Sequence, residues 1–226
     1  MSLGEFQVDQ YTIGCWLLNG NANDETGNHN GTVSGATSIN GRFGGGYDFD
    51  GVYDHILIND AAAFEGLSAF TLEAWVYIHT FPASGHYEYI LAKYYPTLYR
   101  EWYLGIGYNG IFRITVQPVA NVNNATYFLS TSEGVLSANN WYYLVGTWTA
   151  STAMTLYLNG RQVATRKTAA DSYQDTSANV IIGAGYDGTV STFDGVIDSA
   201  RISNVARGAE EIRRYYAQAK GFTRMV

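Results

Sequence analysis

Residues 70–78 read Phe70-Thr71-Leu72-Glu73-Ala74-Trp75-Val76-Tyr77-Ile78. Apolar side chains recur at every second position: Phe70, Leu72, Ala74, Val76 and Ile78. Successive side chains of an extended chain point to opposite faces, so this spacing describes a strand with one buried face. The same period continues on both sides. Trp102–Tyr108 and Ile111–Val116 flank Asn109-Gly110, and Met154–Leu158 and Arg161–Ala164 flank Asn159-Gly160. An Asn-Gly pair between β runs marks a hairpin, because both residues tolerate positive φ. Trp141–Thr149, Val180–Gly183 and Gly195–Ser203 supply further strands. Short strands at roughly ten-residue spacing, with no helices between them, indicate an all-β sandwich or jelly roll.

One helix is expected, at Ala209-Glu210-Glu211-Ile212-Arg213-Arg214-Tyr215-Tyr216-Ala217, as a cap on the sandwich. Its acids come first and its bases after them, as the helix dipole prefers. No Pro-rich, Ser-rich or charged run divides the chain, so one domain is expected over about 10–220.

Composition narrows the function. The 226 residues are 46% hydrophobic and 15% charged, with 19 Tyr and a net charge of −7. No basic run of the kind that binds DNA or RNA is present. No apolar run reaches the roughly 18 residues that cross a membrane. The only cysteine, Cys15, excludes an intrachain disulfide and reads as a small buried hydrophobe. No signal peptide is visible at Met1-Ser2-Leu3. Tyrosine suits strands, and it suits binding surfaces that must be apolar and wet together.

Several segments, in order, resemble the laminin-G-like domains of the concanavalin A-like lectin/glucanase superfamily. They are Trp16-Leu17-Leu18 with Asp24-Glu25-Thr26-Gly27; Gly41-Arg42-Phe43-Gly44 leading to Tyr47-Asp48-Phe49-Asp50-Gly51; and Phe70–Val76. Trp141–Val145, Leu156-Tyr157-Leu158-Asn159-Gly160, Phe193–Ile202 and Glu211–Tyr216 complete the set, covering about 16–216. The hairpin reads Asn159-Gly160 where the family often has Asp-Gly. The resemblance implies a two-sheet antiparallel jelly-roll β-sandwich with a short C-terminal helix. It implies a curved sheet that often binds glycans, and in many members one calcium ion at the sandwich edge.

The metal candidate is Asp24-Glu25-Thr26-Gly27-Asn28-His29-Asn30-Gly31. Ca²⁺ takes six to eight oxygens. Asp24, Asn28 and Asn30, with the carbonyl of His29, can supply several. The family pattern implies that Asp198 supplies the rest. Simple alternation puts Val196, Asp198, Ala200 and Ile202 on one face, where a carboxylate interrupts apolar neighbours and needs a partner. A structural calcium shared by Asp24 and Asp198 would clamp the N-terminal loop to the last strand.

Catalysis has little support. The glucanase branch uses Glu-x-Asp-x-x-Glu on one strand, and the strand at 70–78 has only Glu73. Asp48, Asp50 and Asp54 fall in a Gly-rich turn region. The four histidines have no zinc spacing, and no Gly-x-Ser-x-Gly elbow is present.

The stretch 86–103 is the richest in tyrosine. Aromatic rings stack on the C–H faces of sugars while Glu, Asn and Arg bind the hydroxyls. Tyr87, Tyr94, Tyr95, Tyr99 and Arg100 are the ligand-binding candidates, with the segment around Pro96 expected as a loop over the concave face. Trp16, Trp75, Trp141 and Trp148 are expected in the core. The reading is a non-catalytic, lectin-like or carbohydrate-binding module with a structural calcium ion, secreted or surface-exposed, its partner a glycan or polysaccharide. The alternative is a protein-interaction or structural module of a cell-surface or virion assembly.

Overall fold

The computed structural model describes residues 4–95, 99–117, 127–168, 171–173 and 176–221; at 95, 99 and 100 it describes the backbone alone. In chain order the strands begin with β1 (Thr12–Trp16), β2 (Gly31–Ser34), β3 (Thr37–Asn40), β4 (Gly45–Asp50) and β5 (His55–Ile58). They continue with β6 (Ala69–Ile78), β7 (Tyr87–Tyr95), β8 (Tyr99–Gly107), β9 (Ile111–Val116) and β10 (Tyr127–Ser130). The last are β11 (Asn140–Thr149), β12 (Ala153–Leu158), β13 (Arg161–Lys167), β14 (Val180–Ile182) and β15 (Asp194–Ser203), followed by helix α1 (Ala209–Gly221).

Two antiparallel sheets form the sandwich. The back sheet runs β13-β12-β11-β6-β15-β4-β3, with β1 paired to β15. The front sheet runs β10-β9-β8-β7-β14-β5-β2. Phe70, Leu72, Ala74, Val76 and Ile78 of β6 all enter the core between them, with Trp16 and Trp148 from the back sheet and Trp102, Leu104 and Ile114 from the front. At about 25 cal/mol per Å² of apolar area removed from water, this burial is the main stabilising term. Both Asn-Gly hairpins form, with Asn109 at φ 57° and Asn159 at φ 51°.

The other face of the back sheet is buried as well. Helix α1 lies on it, with Tyr216 stacked on Trp75 (centroids 5.8 Å apart) and Tyr215 on Phe6 (5.0 Å). Phe6, Cys15, Trp75, Tyr143 and Ile212 make this second core, so packing extends N-terminal of residue 10. Trp75 therefore lies under the helix, away from the sandwich core. Trp141, expected inside, is half-buried and rests on Tyr77 instead. It lies near the start of β11, paired with Tyr77 of β6.

Two bulges alter the expected alternation. The β15–β6 ladder pairs Ile197 with Val76 and then Ser199 with Trp75, leaving Asp198 as the extra residue. Ile197 thereby joins the core with Ala200 and Ile202, while Val196 and Ser199 face outward. Asp198 thus does not interrupt an apolar face; it sits on a bulge that re-aims its side chain. The β7–β8 ladder likewise passes from Lys93–Trp102 to Tyr94–Arg100 and skips Glu101. The loop expected around Pro96 is shorter than its reading, because paired strand continues to Tyr95 and resumes at Tyr99. Tyrosine's fit to a pleated ladder carries the strands that far. No helix among the described residues is long and apolar enough to cross a membrane.

Candidate functional site

Loop 24–30 is built around one carboxylate. Asp24 Oδ1 accepts from the amides of Cys15 (2.9 Å) and Thr26 (3.1 Å). Its Oδ2 accepts from the amides of Asn28 (3.3 Å) and His29 (3.0 Å) and from the Thr26 hydroxyl. Asn30 Oδ1 accepts from the Asp24 amide, and the His29 carbonyl accepts from Trp16 Nε1. The His29 ring packs against Phe64. The oxygens expected to face an ion are therefore spent on the loop's own donors.

Asp198 has different neighbours. Its Oδ2 accepts from the amides of Arg42 (2.6 Å) and Phe43 (3.0 Å). A Cβ at Gly41 would stand 2.4 Å from that oxygen, so glycine is what lets the loop close on it. Burial pushes the Asp198 carboxyl up to about 6 against the pull of those two amides, and the Glu5 carboxylate adds to the rise. Strand β1 separates the two aspartates, since Trp16 pairs with Ala200 on one side and bridges to Asp24 on the other. Among the described residues no cluster of three or more His, Cys, Asp or Glu is arranged to hold a metal. The donors thus do not fit a calcium ion shared by Asp24 and Asp198.

Glu73, the carboxylate of β6, is also withdrawn. It is fully buried beneath α1, with Oε2 2.7 Å from Arg201 Nε and Oε1 accepting from the Tyr143 hydroxyl. A cleft of about 170 Å³ beside α1 is lined in part by Glu73, Tyr143, Arg201 and Arg207, and the Glu73 carboxylate there is held by its ion pair with Arg201.

The outer face of the front sheet is aromatic. Tyr89 and Tyr103 stack with centroids 4.0 Å apart, and Tyr94 meets Tyr89 edge-on at 5.8 Å. Tyr89 and Tyr103 are only 4% and 2% exposed, whereas Tyr87 and Tyr94 are half-buried. Part of the cover is loop 185–191, a feature the sequence reading missed. Gly185 closes on Val190 through an amide-to-carbonyl bond of 2.8 Å, and Tyr89 N–H donates to the Ser191 carbonyl at 2.8 Å. Gly185 lies against the Tyr89 ring; a Cβ there would meet ring atoms at 2.8 and 3.0 Å. Tyr186, Asp187 and Ser191 adopt positive φ of 23°, 48° and 53°. Such conformations cost on the order of 1 kcal/mol per residue and cluster where a loop is held for a purpose. The signal in the sequence was Gly183-Ala184-Gly185 followed by Gly188, a glycine density that marks backbone pressed against something.

Residues of loop 185–191 line two separate clefts. The larger, about 460 Å³, is lined by Asp50, Thr80, Tyr87, Glu88, Thr192 and Asp194, among others. It sits at one end of the sandwich, where the β4–β5 turn, the β6–β7 loop and the start of β15 converge. Thr80 donates its hydroxyl to Asp194 Oδ2 (2.5 Å), and Asp194 Oδ1 lies 3.2 Å from His79 Nδ1. Asp50 Oδ1 accepts from the Val52 amide (2.7 Å), which shapes the turn that forms the rim. Glu88 accepts from the Asp194 amide through Oε2 (3.3 Å), and burial first, then the Asp194 charge, push its carboxyl up to about 8. The smaller cleft, about 110 Å³, is lined by Tyr94, Ser177, Ala178, Asn179, Tyr186 and Asp187.

Of the expected ligand-binding residues, Tyr87 and Tyr94 each line a cleft. Tyr87 also lies 3.8 Å beneath the Arg113 guanidinium, which covers Phe128 at 4.3 Å. The side chains of Tyr95, Tyr99 and Arg100 lie outside the described residues.

The comparisons agree with the architecture. A family model of the Concanavalin A-like lectin/glucanases superfamily matches residues 49–213. The search of curated proteins returns no match. The binding domain of Paraclostridial Mosquitocidal Protein 1 superposes with a TM-score of 0.74 at 14% identity, over 93% of this chain and 52% of that one. Domain 4 of AbnA, a GH43 extracellular arabinanase from Geobacillus stearothermophilus solved with arabinotriose, gives 0.70 at 15%, over 91% and 98%. The botulinum neurotoxin serotype D ligand binding domain, solved with N-acetylneuraminic acid, gives 0.70 at 18%, over 92% and 50%. The chain thus spans about half the length of the toxin domains it matches. At these identities the likeness shows the fold. The chain belongs to the concanavalin A-like lectin/glucanase superfamily.

Proposed function

We propose that this member of the concanavalin A-like lectin/glucanase superfamily is a non-catalytic carbohydrate-binding module, secreted or surface-exposed. It engages a glycan at the clefts beside loop 185–191. The observation that carries this is the placement of Tyr87 and Tyr94: each is a half-buried ring beside hydroxyls, amides or carboxylates, one in each cleft. A sugar presents an apolar C–H face ringed by hydroxyls, and a ring with polar neighbours answers both. The arabinotriose-bound domain, which this chain covers almost end to end, supports the reading at the level of fold. Burial of Glu73 under α1 supports the absence of catalysis on β6.

The calcium expected from the sequence enters this reading at Asp198 alone. Asp198 and Glu5 are both buried carboxylates, and burial first, then the Glu5 charge, raises the Asp198 carboxyl. An oxygen-coordinated divalent cation relieves such a pair. Its role would be to hold the 41–44 loop to β15.

A second reading, a receptor- or protein-binding module, is favoured by the turn beside the larger cleft. Tyr53 there is 64% exposed with φ 65°, next to an exposed Val52. A glycan panel followed by titration calorimetry separates the two. Saturable binding of a glycan supports the first reading. No glycan binding, with retention of a protein partner that Tyr53→Ala releases, supports the second.

A further inference from the structure

The larger cleft has a chemical character that bears on which glycans fit. Its ionisable lining is Asp50, Glu88, Asp194 and His86. Among the described residues no lysine or arginine lines either cleft. The nearest guanidinium, Arg113, is stacked between Tyr87 and Phe128 and donates to Ser130 Oγ at 2.6 Å. The smaller cleft adds Asp187. Glu88 is only 7% exposed and lines the cleft, with Oε2 accepting from the Asp194 amide at 3.3 Å. A carboxyl group with two acceptor oxygens at the wall of a cleft can meet a hydroxyl donor of a ligand. Asp54, whose Oδ2 accepts from the Asp50 amide in the turn between β4 and β5, and Asp48 of β4 add negative charge close to Asp50.

Resting on the carbohydrate-binding reading above, we propose that the larger cleft accepts an uncharged sugar residue and rejects acidic ones such as sialic and uronic acids. An acid sugar would bring its carboxylate against Asp50 and Asp194 with no cation to meet it. Like charges brought together in a partly desolvated site cost several-fold in affinity at least, and specificity is a difference of affinities. A neutral sugar offers hydroxyls to Glu88, Thr80 and Thr192 and a C–H face to Tyr87.

The test is titration of the intact protein with matched probes: lactose against 3′-sialyllactose, trigalacturonate against its methyl ester, and arabinotriose as a further neutral probe. The expected result is binding of at least one neutral probe, with the charged member of its pair at least about tenfold weaker. The exposed rim residue gives a second reading: Asp50→Lys should raise the affinity for the charged member relative to its neutral partner, with circular dichroism confirming that the variant folds. Equal binding of charged and neutral members by the wild-type protein would overturn the charge selection while leaving glycan binding in place. Binding to none of the probes, nor to any glycan of a wider panel, would overturn the carbohydrate reading and this inference with it.

Discussion

Gly185 rests on the ring of Tyr89, and that ring in turn stacks on Tyr103 with centroids 4.0 Å apart. The contact fixes loop 185–191 against the front sheet and so sets the positions of the two clefts. Replacing Gly185 with Ala places a Cβ 2.8 Å from a ring carbon that cannot retreat, because Tyr103 backs it. Gly185→Ala should destabilise by about 1–3 kcal/mol and weaken glycan binding several-fold. A variant with unchanged melting temperature and affinity would show that the loop does not shape the site.

Glu88 makes stability depend on pH. Burial raises its carboxyl from 4.5 to about 8 in the folded chain. Below the unfolded value the group is protonated in both states and contributes nothing. Between the two values the unfolded chain releases the proton and the folded chain keeps it, so stability falls as pH rises, and the loss is complete above about 8. Glu88→Gln mimics the protonated form. Its melting temperature relative to wild type should rise from about pH 5 to about pH 8. A constant difference across that range would mean the carboxyl titrates normally.

Asp24 and Asp198 should separate in their response to calcium. Asp24→Ala strips a buried cradle of amide donors of its acceptor and should cost about 2–4 kcal/mol, equally in calcium and in EDTA. Calcium should raise the melting temperature of the wild-type protein and not that of Asp198→Asn. Identical wild-type melting in calcium and EDTA would remove the ion from the account.

Glu73 should matter for stability alone. It is buried against Arg201 and lies 3.6 Å from Arg207. Glu73→Gln leaves the buried Arg201 guanidinium without its carboxylate and should cost about 3–5 kcal/mol. Polysaccharide turnover by the wild-type protein, abolished in this variant, would restore a catalytic role for β6.

The strands that alternate strictly were readable from sequence. Residues 70–78, the Asn109-Gly110 and Asn159-Gly160 hairpins and the C-terminal helix each carry their own local signal, and each forms. Asp198 and Glu101 were not readable, because a bulge is a relation between two strands and leaves the one-strand pattern looking regular. Asp24 was read as a ligand for an ion, but its partners are the amides of its own loop and of Cys15 in β1, with the Thr26 hydroxyl. Donors supplied by backbone have no residue type to betray them. Tyr87 and Tyr94 were legible as a tyrosine-rich run. Tyr89 and Tyr103, from the same run, were indistinguishable from them until the strand register and loop 185–191 decided which rings are covered.

The central claim is that Tyr87 and Tyr94 bind a glycan. Calorimetric titration of the wild-type protein, Tyr87→Ala and Tyr94→Ala with the strongest neutral probe tests it most directly. Loss of a stacking ring should weaken binding by about 1–2 kcal/mol, roughly five- to thirty-fold, with melting temperatures close to wild type, since both rings are only half-buried. Wild-type affinity in both variants, or no glycan binding by the parent protein, would contradict it.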